Sequence, residues 1–212
     1  LPEADCIHIF KIETDSYLKR IQTAHSYLLS NQELIKAGRF KQLKDQQNYV
    51  SRKHFLRFLL SKILHLEASK IEYLQIGNRK PKLNGIEFNT THSGNLAFVA
   101  ISNFPIGIDS ELKKDEFDFE SLLADCFSQE EITAITKGDR TSNFYSLWTR
   151  KEAVLKATGE GLIDDLKQVN ALQPTITRKG QDFHVHTLAV DDAHILSIAC
   201  ASPIDSIKFW TI

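Results

Sequence analysis

The sequence of 212 residues lacks several features that would assign it quickly to a class of protein. It contains no methionine, and its net charge is −1, from 26 basic and 27 acidic side chains. This balance argues against a chain-wide attraction to nucleic acid or to an anionic membrane. No uninterrupted apolar run of about 18 residues occurs, so neither a transmembrane helix nor a membrane partner is expected.

Cysteine is scarce as well. The three cysteines, Cys6, Cys126 and Cys200, are odd in number and far apart. This pattern fits neither a disulfide framework nor a Cys-x-x-Cys metal site, and it predicts reduced thiols in a cytoplasmic protein. The opening LPEADCIHIF has no basic segment followed by an apolar one, so no secretory signal is expected. The missing initiator methionine indicates that the native N-terminus lies outside this sequence.

What is present is typical of a globular α+β protein, with 42% hydrophobic and 25% charged residues. The length suits one large domain or two half-size units packed together. Apolar periodicity predicts helices over 14–30, 31–40, 46–66, 118–137 and 142–157. Runs of β-branched and apolar residues predict strands over 6–13, 96–102 and 106–112, and near 183–190, 195–201 and 206–212.

Two stretches of the sequence resemble each other. LAFVAISNFPI, ending at residue 106, and ILSIACASPI, ending at residue 204, each combine an apolar strand, a break and a new strand. We therefore predict two similar α+β halves, residues 1–105 and 106–212, related by pseudo-twofold symmetry. They are expected to form one compact body with the active site in the cleft between them.

Asp109 and Glu111 are two residues apart on a predicted strand, so their carboxylates should project to the same side. Glu152, on the predicted helix 142–157, is a candidate third oxygen ligand. Three carboxylates without cysteine or clustered histidine indicate Mg²⁺ or Mn²⁺. Lys156, one helical turn beyond Glu152, could then meet negative charge on a phosphate. The alternative is that both strand carboxylates simply face solvent at the strand end.

Basic and polar groups for a phosphate ligand occur nearby in the sequence. NRKPK supplies Arg79, Lys80 and Lys82, and TTHSG is predicted to be a turn whose hydroxyls, His92 and backbone amides could bind phosphate. The alternatives are a solvated loop for NRKPK and an ordinary turn histidine for His92.

The motifs RKPKL, FNTTHSG, IGIDSE, FSQEE and LWTRKEAVLKATGEGL follow one another in this order. In this order they resemble the surfactin-type (Sfp-type) 4′-phosphopantetheinyl transferases. The family pattern is a Lys-Pro loop, N-[ST]-[ST]-H-[ST], [IV]-G-[IV]-D-x-E, and [FW]-[STC]-x-K-E-[AS]-x-x-K with a glycine-rich end. The resemblance covers most of the chain and is loosest in residues 163–194. Ser110 departs from it, because the pattern usually has an apolar residue there.

This resemblance implies a role for each matching residue. Mg²⁺ would be bound by Asp109, Glu111 and Glu152, and Lys156 would assist the leaving diphosphate. The residues implied in binding coenzyme A are Lys80, Thr91 and His92 at the nucleotide and 3′-phosphate, Lys36 at the phosphates, Arg57 at a recurring arginine position, and Asp109 and Lys156.

The implied reaction is attack by a serine hydroxyl of an apo acyl or peptidyl carrier protein on the β-phosphorus of coenzyme A. Phosphopantetheine moves to the serine, and 3′,5′-adenosine bisphosphate leaves. The catalytic residues would be Glu152, as the candidate base, with Lys156 and Asp109. The first half would contribute to coenzyme A binding, the second would carry the metal and catalytic groups, and the protein would be a monomer. The alternatives are a Mg²⁺-dependent nucleotide phosphoesterase and a non-catalytic coenzyme A-binding protein.

Three further residues have two interpretations each. Glu131 matches an acidic position that sometimes has a metal or base role, but Ser128-x-x-Glu131 is also a capping box that would begin a helix. His184 and His186 alternate along a late strand like a metal pair, yet no third soft ligand is nearby in sequence. We interpret both histidines as ordinary strand residues.

Overall fold

The computed structural model describes residues 6–22, 28–73, 80–161, 166–204 and 206–212. The first half of the chain contains β1 (Cys6–Glu13), α1 (Thr14–Ile21), α2 (Asn31–Ala37), α3 (Leu43–Leu64), β2 (Glu87–Ser93) and β3 (Leu96–Ser102). The second half contains β4 (Ile106–Leu112), α4 (Glu120–Cys126), α5 (Gln129–Ile135), α6 (Arg140–Thr158), β5 (Thr175–Arg178), β6 (Gln181–Ala189), β7 (His194–Cys200) and β8 (Ser206–Thr211). Each half begins with a strand, continues with helices and returns to strands, so the predicted α+β fold with two similar halves is confirmed.

The described strands form two four-stranded sheets, in the orders β2-β3-β1-β8 and β4-β7-β6-β5. The first strand of each half lies antiparallel to a later strand of that half, β1 to β3 and β4 to β7. One strand pairs with the half of the chain to which it does not belong in sequence. β8 belongs to the second half in sequence but pairs in parallel with β1, and it thereby completes the first sheet.

Apolar side chains pack between the two sheets and on the outer face of each sheet. The two sheets pack face to face through a cluster that includes Ile7, Ile9, Phe98, Ile108, Leu196 and Ile198. α3 covers the outer face of the first sheet, with Phe55 and Leu56 packed near Phe88 and Val99. α6 covers the outer face of the second sheet, with Ala153 and Val154 near Phe183 and Ala199. Most side chains on both faces of β3, β4 and β7 are therefore buried. Those of the edge strand β8 are mostly exposed.

Some predicted boundaries differ from the structure. α1 ends at Ile21, and residues 23–27 of the predicted helix 14–30 lie outside the described residues. The predicted helix 118–137 is divided into α4 and α5, because Ser128 and Glu131 form a capping box that begins a new helix. β5 was not predicted. TTHSG was expected to be a turn, but Thr90–Ser93 continue β2 and only the residues after Ser93 turn.

The cysteines have the predicted free thiols. Cys6 and Cys200 are buried, and Cys126 is half-buried. Among the described residues, no helix is long and apolar enough to cross a membrane.

Candidate functional site

The two halves of the chain meet along a seam between β2 and the open edge of β4. β4 is an edge strand, so the backbone amides on its outer edge need acceptors from another element. Alternate side chains of β2 supply them: Asn89 Oδ1 accepts from the Ile108 amide at 3.0 Å, Thr91 Oγ1 from Ser110 at 3.2 Å, and Ser93 Oγ from Leu112 at 2.8 Å.

The two hydroxyls among these β2 side chains also contact carboxylates. Thr91 Oγ1 donates to Asp109 Oδ1 at 3.1 Å, and Ser93 Oγ donates to Glu111 Oε2 at 2.8 Å. Asp109 and Glu111 therefore project to the same side of β4, as the period of two predicts. Asp109 is 5% exposed, whereas Glu111 is half-buried.

α6 approaches β4 unusually closely at Gly107. A Cβ at this position would lie 2.0 Å from the Ala153 carbonyl oxygen and 2.4 Å from the Ala157 amide nitrogen. Only glycine permits this contact, and it brings the helix face that carries Glu152 and Lys156 against the strand that carries the other carboxylates. Gly159 ends the helix at a φ of 71°, as the sequence predicted for the glycine-rich segment.

Lys156 and Glu152 complete the group of charges. Lys156 Nζ lies 2.6 Å from Asp109 Oδ1 and 3.4 Å from Thr91 Oγ1. Thr91, His92, Asp109, Glu111, Glu152 and Lys156 line one cavity of about 460 Å³ together with Arg52, Thr90 and Trp148. Both halves of the chain therefore contribute to the cavity, and the structure brings the three predicted carboxylates and Lys156 together in it.

The environment of this cavity disfavours the ionised form of its carboxylates. Burial raises the pKa of Asp109, although the Lys156 ammonium partly opposes this effect. Burial also raises the pKa of Glu111 and of Glu152, and the Asp109 carboxylate adds to both effects. Lys156 and Arg52 line this cavity with three carboxylates, so the ionised carboxylates outnumber the cations and the site would be stabilised by a further cation.

The chemistry of these groups fits a hard cation. Within the described part of the chain, Asp109 Oδ2 and Glu152 Oε1 are buried without a hydrogen-bond partner. Carboxylate oxygens of this kind are the ligands that Mg²⁺ and Mn²⁺ prefer. No group of three or more His, Cys, Asp or Glu side chains among the described residues is already arranged as a metal site. Binding would therefore require the carboxylates to turn toward a common point.

A second cavity, of about 290 Å³, adjoins the first and shares Arg52, Thr90 and Thr91 with it. Its walls carry Lys36 and Lys53 beside Tyr49, with the Lys36 ammonium 5.5 Å from the Tyr49 ring centre. Burial lowers the pKa of Arg52 and of Lys53. For Lys53 the nearby Glu33 carboxylate partly opposes this effect, and the Lys36, Arg52 and Arg57 charges add to it. The pair of cavities thus forms a groove with carboxylates at one end and cations at the other.

His92, on β2, lines the cavity that holds the carboxylates. The residue is exposed overall, but partial desolvation of the ring lowers its pKa to about 4, and the nearby Arg52 and Lys156 charges contribute to the shift. The imidazole is therefore neutral at neutral pH. A neutral ring beside two cations can donate one hydrogen bond and accept another.

Two of the predicted ligand-binding residues lie outside this groove. Lys80 Nζ donates to Glu87 Oε2 at 2.7 Å and to the Ile106 carbonyl at 2.9 Å, and its side chain is 7% exposed. It lines a separate cleft near Gly159 and Arg178. Arg79 of the same motif lies outside the described residues.

Arg57 is the second of these residues. It is 2% exposed, pairs with Glu33, and donates to the Ala68 carbonyl and, at 3.2 Å, to that of Ile71. Its guanidinium also lies 5.1 Å from the Tyr73 ring centre. Arg57 thus joins α2 and α3 to the segment after α3, and the structure gives it protein contacts instead of a position in the groove.

Glu131 makes contacts that hold the fold together, and the predicted capping box that it forms with Ser128 is confirmed. It is fully buried, pairs with Lys151 Nζ at 2.9 Å and accepts from the Ala171 amide at 2.7 Å. His184 and His186 both lie on β6, as predicted.

Three residues of the site were not predicted from the sequence: Arg52, Lys53 and Ser93. The signal for the first two was the SRKHF segment, which places consecutive basic residues within α3. Ser93 follows His92 directly in TTHSG, but its contact with Glu111 depends on how two strands meet in space.

Comparison with known proteins supports a family relationship. A family model described as the 4′-phosphopantetheinyl transferase superfamily matches residues 105–199. The chain is 31% identical to the 4′-phosphopantetheinyl transferase HetI of Nostoc sp., over 98% of this chain and 92% of that protein. It is 25% identical to the 4′-phosphopantetheinyl transferase Sfp of Bacillus subtilis, over 82% of this chain and 83% of Sfp. It is also 25% identical to psf-1 of Bacillus pumilus, over 79% and 76% of the two chains.

Proposed function

This chain belongs to the 4′-phosphopantetheinyl transferase superfamily, and we propose that it transfers 4′-phosphopantetheine from coenzyme A to a serine of an apo acyl or peptidyl carrier protein. The observation that carries the proposal is the groove itself. Three buried or half-buried carboxylates and Lys156 lie at one end, and Lys36, Arg52 and Lys53 lie at the other. Such a groove suits a ligand with several phosphates that also brings a divalent cation.

Asp109, Glu111 and Glu152 would hold Mg²⁺ or Mn²⁺, since buried carboxylate oxygens without partners are available on Asp109 and Glu152. When bound, the cation supplies positive charge that neutralises the diphosphate and the transferring phosphoryl group. Lys36, Arg52 and Lys53 would bind the other phosphate groups of coenzyme A. His92, neutral in the free protein, would donate a hydrogen bond to one of them.

The chain's own residues account for the remaining chemistry. Glu152 would accept the serine proton as the general base. A bond forms between the serine oxygen and the β-phosphorus, while the bond from that phosphorus to the bridging oxygen breaks. The bridging oxygen leaves with its electron pair on 3′,5′-adenosine bisphosphate. Lys156, already 2.6 Å from Asp109, would stabilise the negative charge on this leaving group.

The Sfp-type branch is the subclass that we propose, together with a pseudo-symmetric monomer. The support is the pair of similar halves within one chain and the match to Sfp over 83% of its length. Carrier proteins of fatty-acid, polyketide or nonribosomal-peptide synthesis are the candidate partners.

An intact-mass assay tests the reaction. The protein is incubated with coenzyme A, Mg²⁺ and a panel of apo carrier proteins, with and without a chelator. We expect one phosphopantetheine to be added to the carrier, and the chelator and Asp109→Asn to abolish the addition. Coenzyme A cleavage without a mass gain would identify a phosphoesterase, and coenzyme A binding without either reaction would identify a non-catalytic binding protein.

A further inference from the structure

Ser93 makes two hydrogen bonds with consecutive residues of β4. Its hydroxyl accepts from the Leu112 amide and donates to Glu111 Oε2, both at 2.8 Å. Thr91 repeats the arrangement two residues earlier, with the Ser110 amide and Asp109 Oδ1. A hydroxyl has a single proton, and here that proton is donated to the carboxylate while the oxygen accepts from the amide. Each hydroxyl thus fixes a carboxylate relative to the strand that carries it.

Asn89 shows which contact is needed only to hold β2 against the edge of β4. It accepts from the Ile108 amide at 3.0 Å in the same way, but the residue before Ile108 is Gly107, which has no carboxylate. An acceptor is therefore sufficient to cap the edge of β4. The two positions with hydroxyls are the two that lie beside Asp109 and Glu111.

The two carboxylates depend on these hydroxyls to different extents. Asp109 Oδ1 also receives a hydrogen bond from Lys156 Nζ at 2.6 Å. Within the described residues, the side-chain hydrogen bond to Glu111 comes from Ser93. Glu111 is half-buried and its side chain has three rotatable bonds, so without this contact its carboxylate could adopt several rotamers.

We propose that Ser93 is a positioning residue that holds the Glu111 carboxylate by Oε2 and leaves Oε1 to bind the divalent cation. The inference rests on the proposed function, since it requires a cation at Asp109, Glu111 and Glu152. Loss of a residue that orients a metal ligand typically weakens metal affinity about 10- to 100-fold.

The test follows the thermal unfolding midpoint during a Mg²⁺ titration at a fixed coenzyme A concentration, without carrier protein. The variants are Ser93→Ala, Ser93→Thr, which retains the hydroxyl, and Asn89→Ala. The last is the matched control, because Ser93→Ala and Asn89→Ala each remove one acceptor from the β4 edge and only Ser93→Ala releases a carboxylate. If Ser93→Ala does not fold, Ser93→Cys keeps the volume and weakens the donor.

In the wild-type protein, Mg²⁺ should raise the midpoint. Ser93→Ala should need about 10-fold or more Mg²⁺ for half of this rise, whereas Ser93→Thr and Asn89→Ala should need the wild-type concentration, even if Asn89→Ala begins from a lower midpoint. An unchanged Mg²⁺ requirement in Ser93→Ala, or an equal shift in Asn89→Ala, would overturn the role of Ser93. A wild-type protein that does not respond to Mg²⁺ would instead overturn the metal assignment, and the role of Ser93 with it.

Discussion

Gly107→Ala adds a single methyl group at the tightest contact between β4 and α6. The new Cβ would lie 2.0 Å from the Ala153 carbonyl oxygen, 2.4 Å from the Ala157 nitrogen and 3.0 Å from the Lys156 carbonyl carbon. All three atoms are helix backbone, so no side chain can rotate away. α6 must therefore retreat from the strand, or β4 must deform.

The size of the effect follows from these distances. Ordinary contact requires about 3.4 Å, so the backbone must separate by roughly 1.4 Å at Ala153. Overpacking of this kind costs about 1–3 kcal/mol, which would lower the melting temperature of a chain of this size by about 3–10 °C. Glu152 and Lys156 would move with the helix, and a displacement of about 1 Å at a reacting group can reduce the rate about 100-fold.

Thermal unfolding and the carrier mass assay measure the two effects separately. Gly38→Ala is the matched control, because its φ is −66° and the nearest atoms to a new Cβ lie at 3.6 and 3.8 Å. It should change the stability by less than about 1 kcal/mol and leave the transfer rate unchanged. If Gly107→Ala had the wild-type melting temperature and rate, the contact between β4 and α6 would not be what positions Glu152 and Lys156.

Three other predictions concern individual side chains. Glu131→Ala should lower the free energy of unfolding by about 3–5 kcal/mol in a denaturant titration, because it removes the carboxylate paired with buried Lys151; normal stability with lost transfer would favour a catalytic role instead. Arg52→Ala should raise the coenzyme A concentration for half-maximal transfer about 10-fold or more, since a charged hydrogen bond to phosphate is lost; a lower kcat at an unchanged coenzyme A requirement would contradict this. His92 should titrate by NMR with a pKa of about 4 in the free protein. The unfolded chain takes up this proton near pH 6.5 and the folded chain does not, so protonation of His92 should lower the free energy of unfolding as the pH falls from about 6.5 to 4. A measured pKa near 6.5 in the folded protein would contradict the desolvated environment of His92.

Much of the carboxylate end of the groove could be predicted from local spacing. Asp109 and Glu111 share a face because strand residues alternate, and Glu152 and Lys156 share a face because they are one helical turn apart. Both rules depend only on neighbours in sequence. The capping box at Ser128 and Glu131 was predictable for the same reason.

The positions of Arg57 and Lys80 could not be predicted in this way. Each belongs to a motif that suggested a ligand contact, but each finds a carboxylate and carbonyl oxygens elsewhere in the chain. A basic side chain pairs with whichever anion the fold brings near it, and sequence spacing does not contain that information.

β2 shows the same limit of sequence-based prediction for a whole strand. Its small polar residues Asn89, Thr91 and Ser93 have the composition of a turn, which is why TTHSG was interpreted as one. They form a strand because their backbone pairs antiparallel with β3. Their side chains accept from the amides of an edge strand about 19 positions further along the chain.

The sequence by itself determined the α+β character, the repeated halves, the identity of the carboxylates and the face from which each projects, because all of these follow from periodicity and short-range spacing. Only the tertiary structure decided that β8 returns to the first sheet, that Gly107 lets α6 lie against β4, and that Ser93 contacts Glu111. These features depend on contacts between segments that are distant in sequence, and such contacts are selected by the packing of the whole chain.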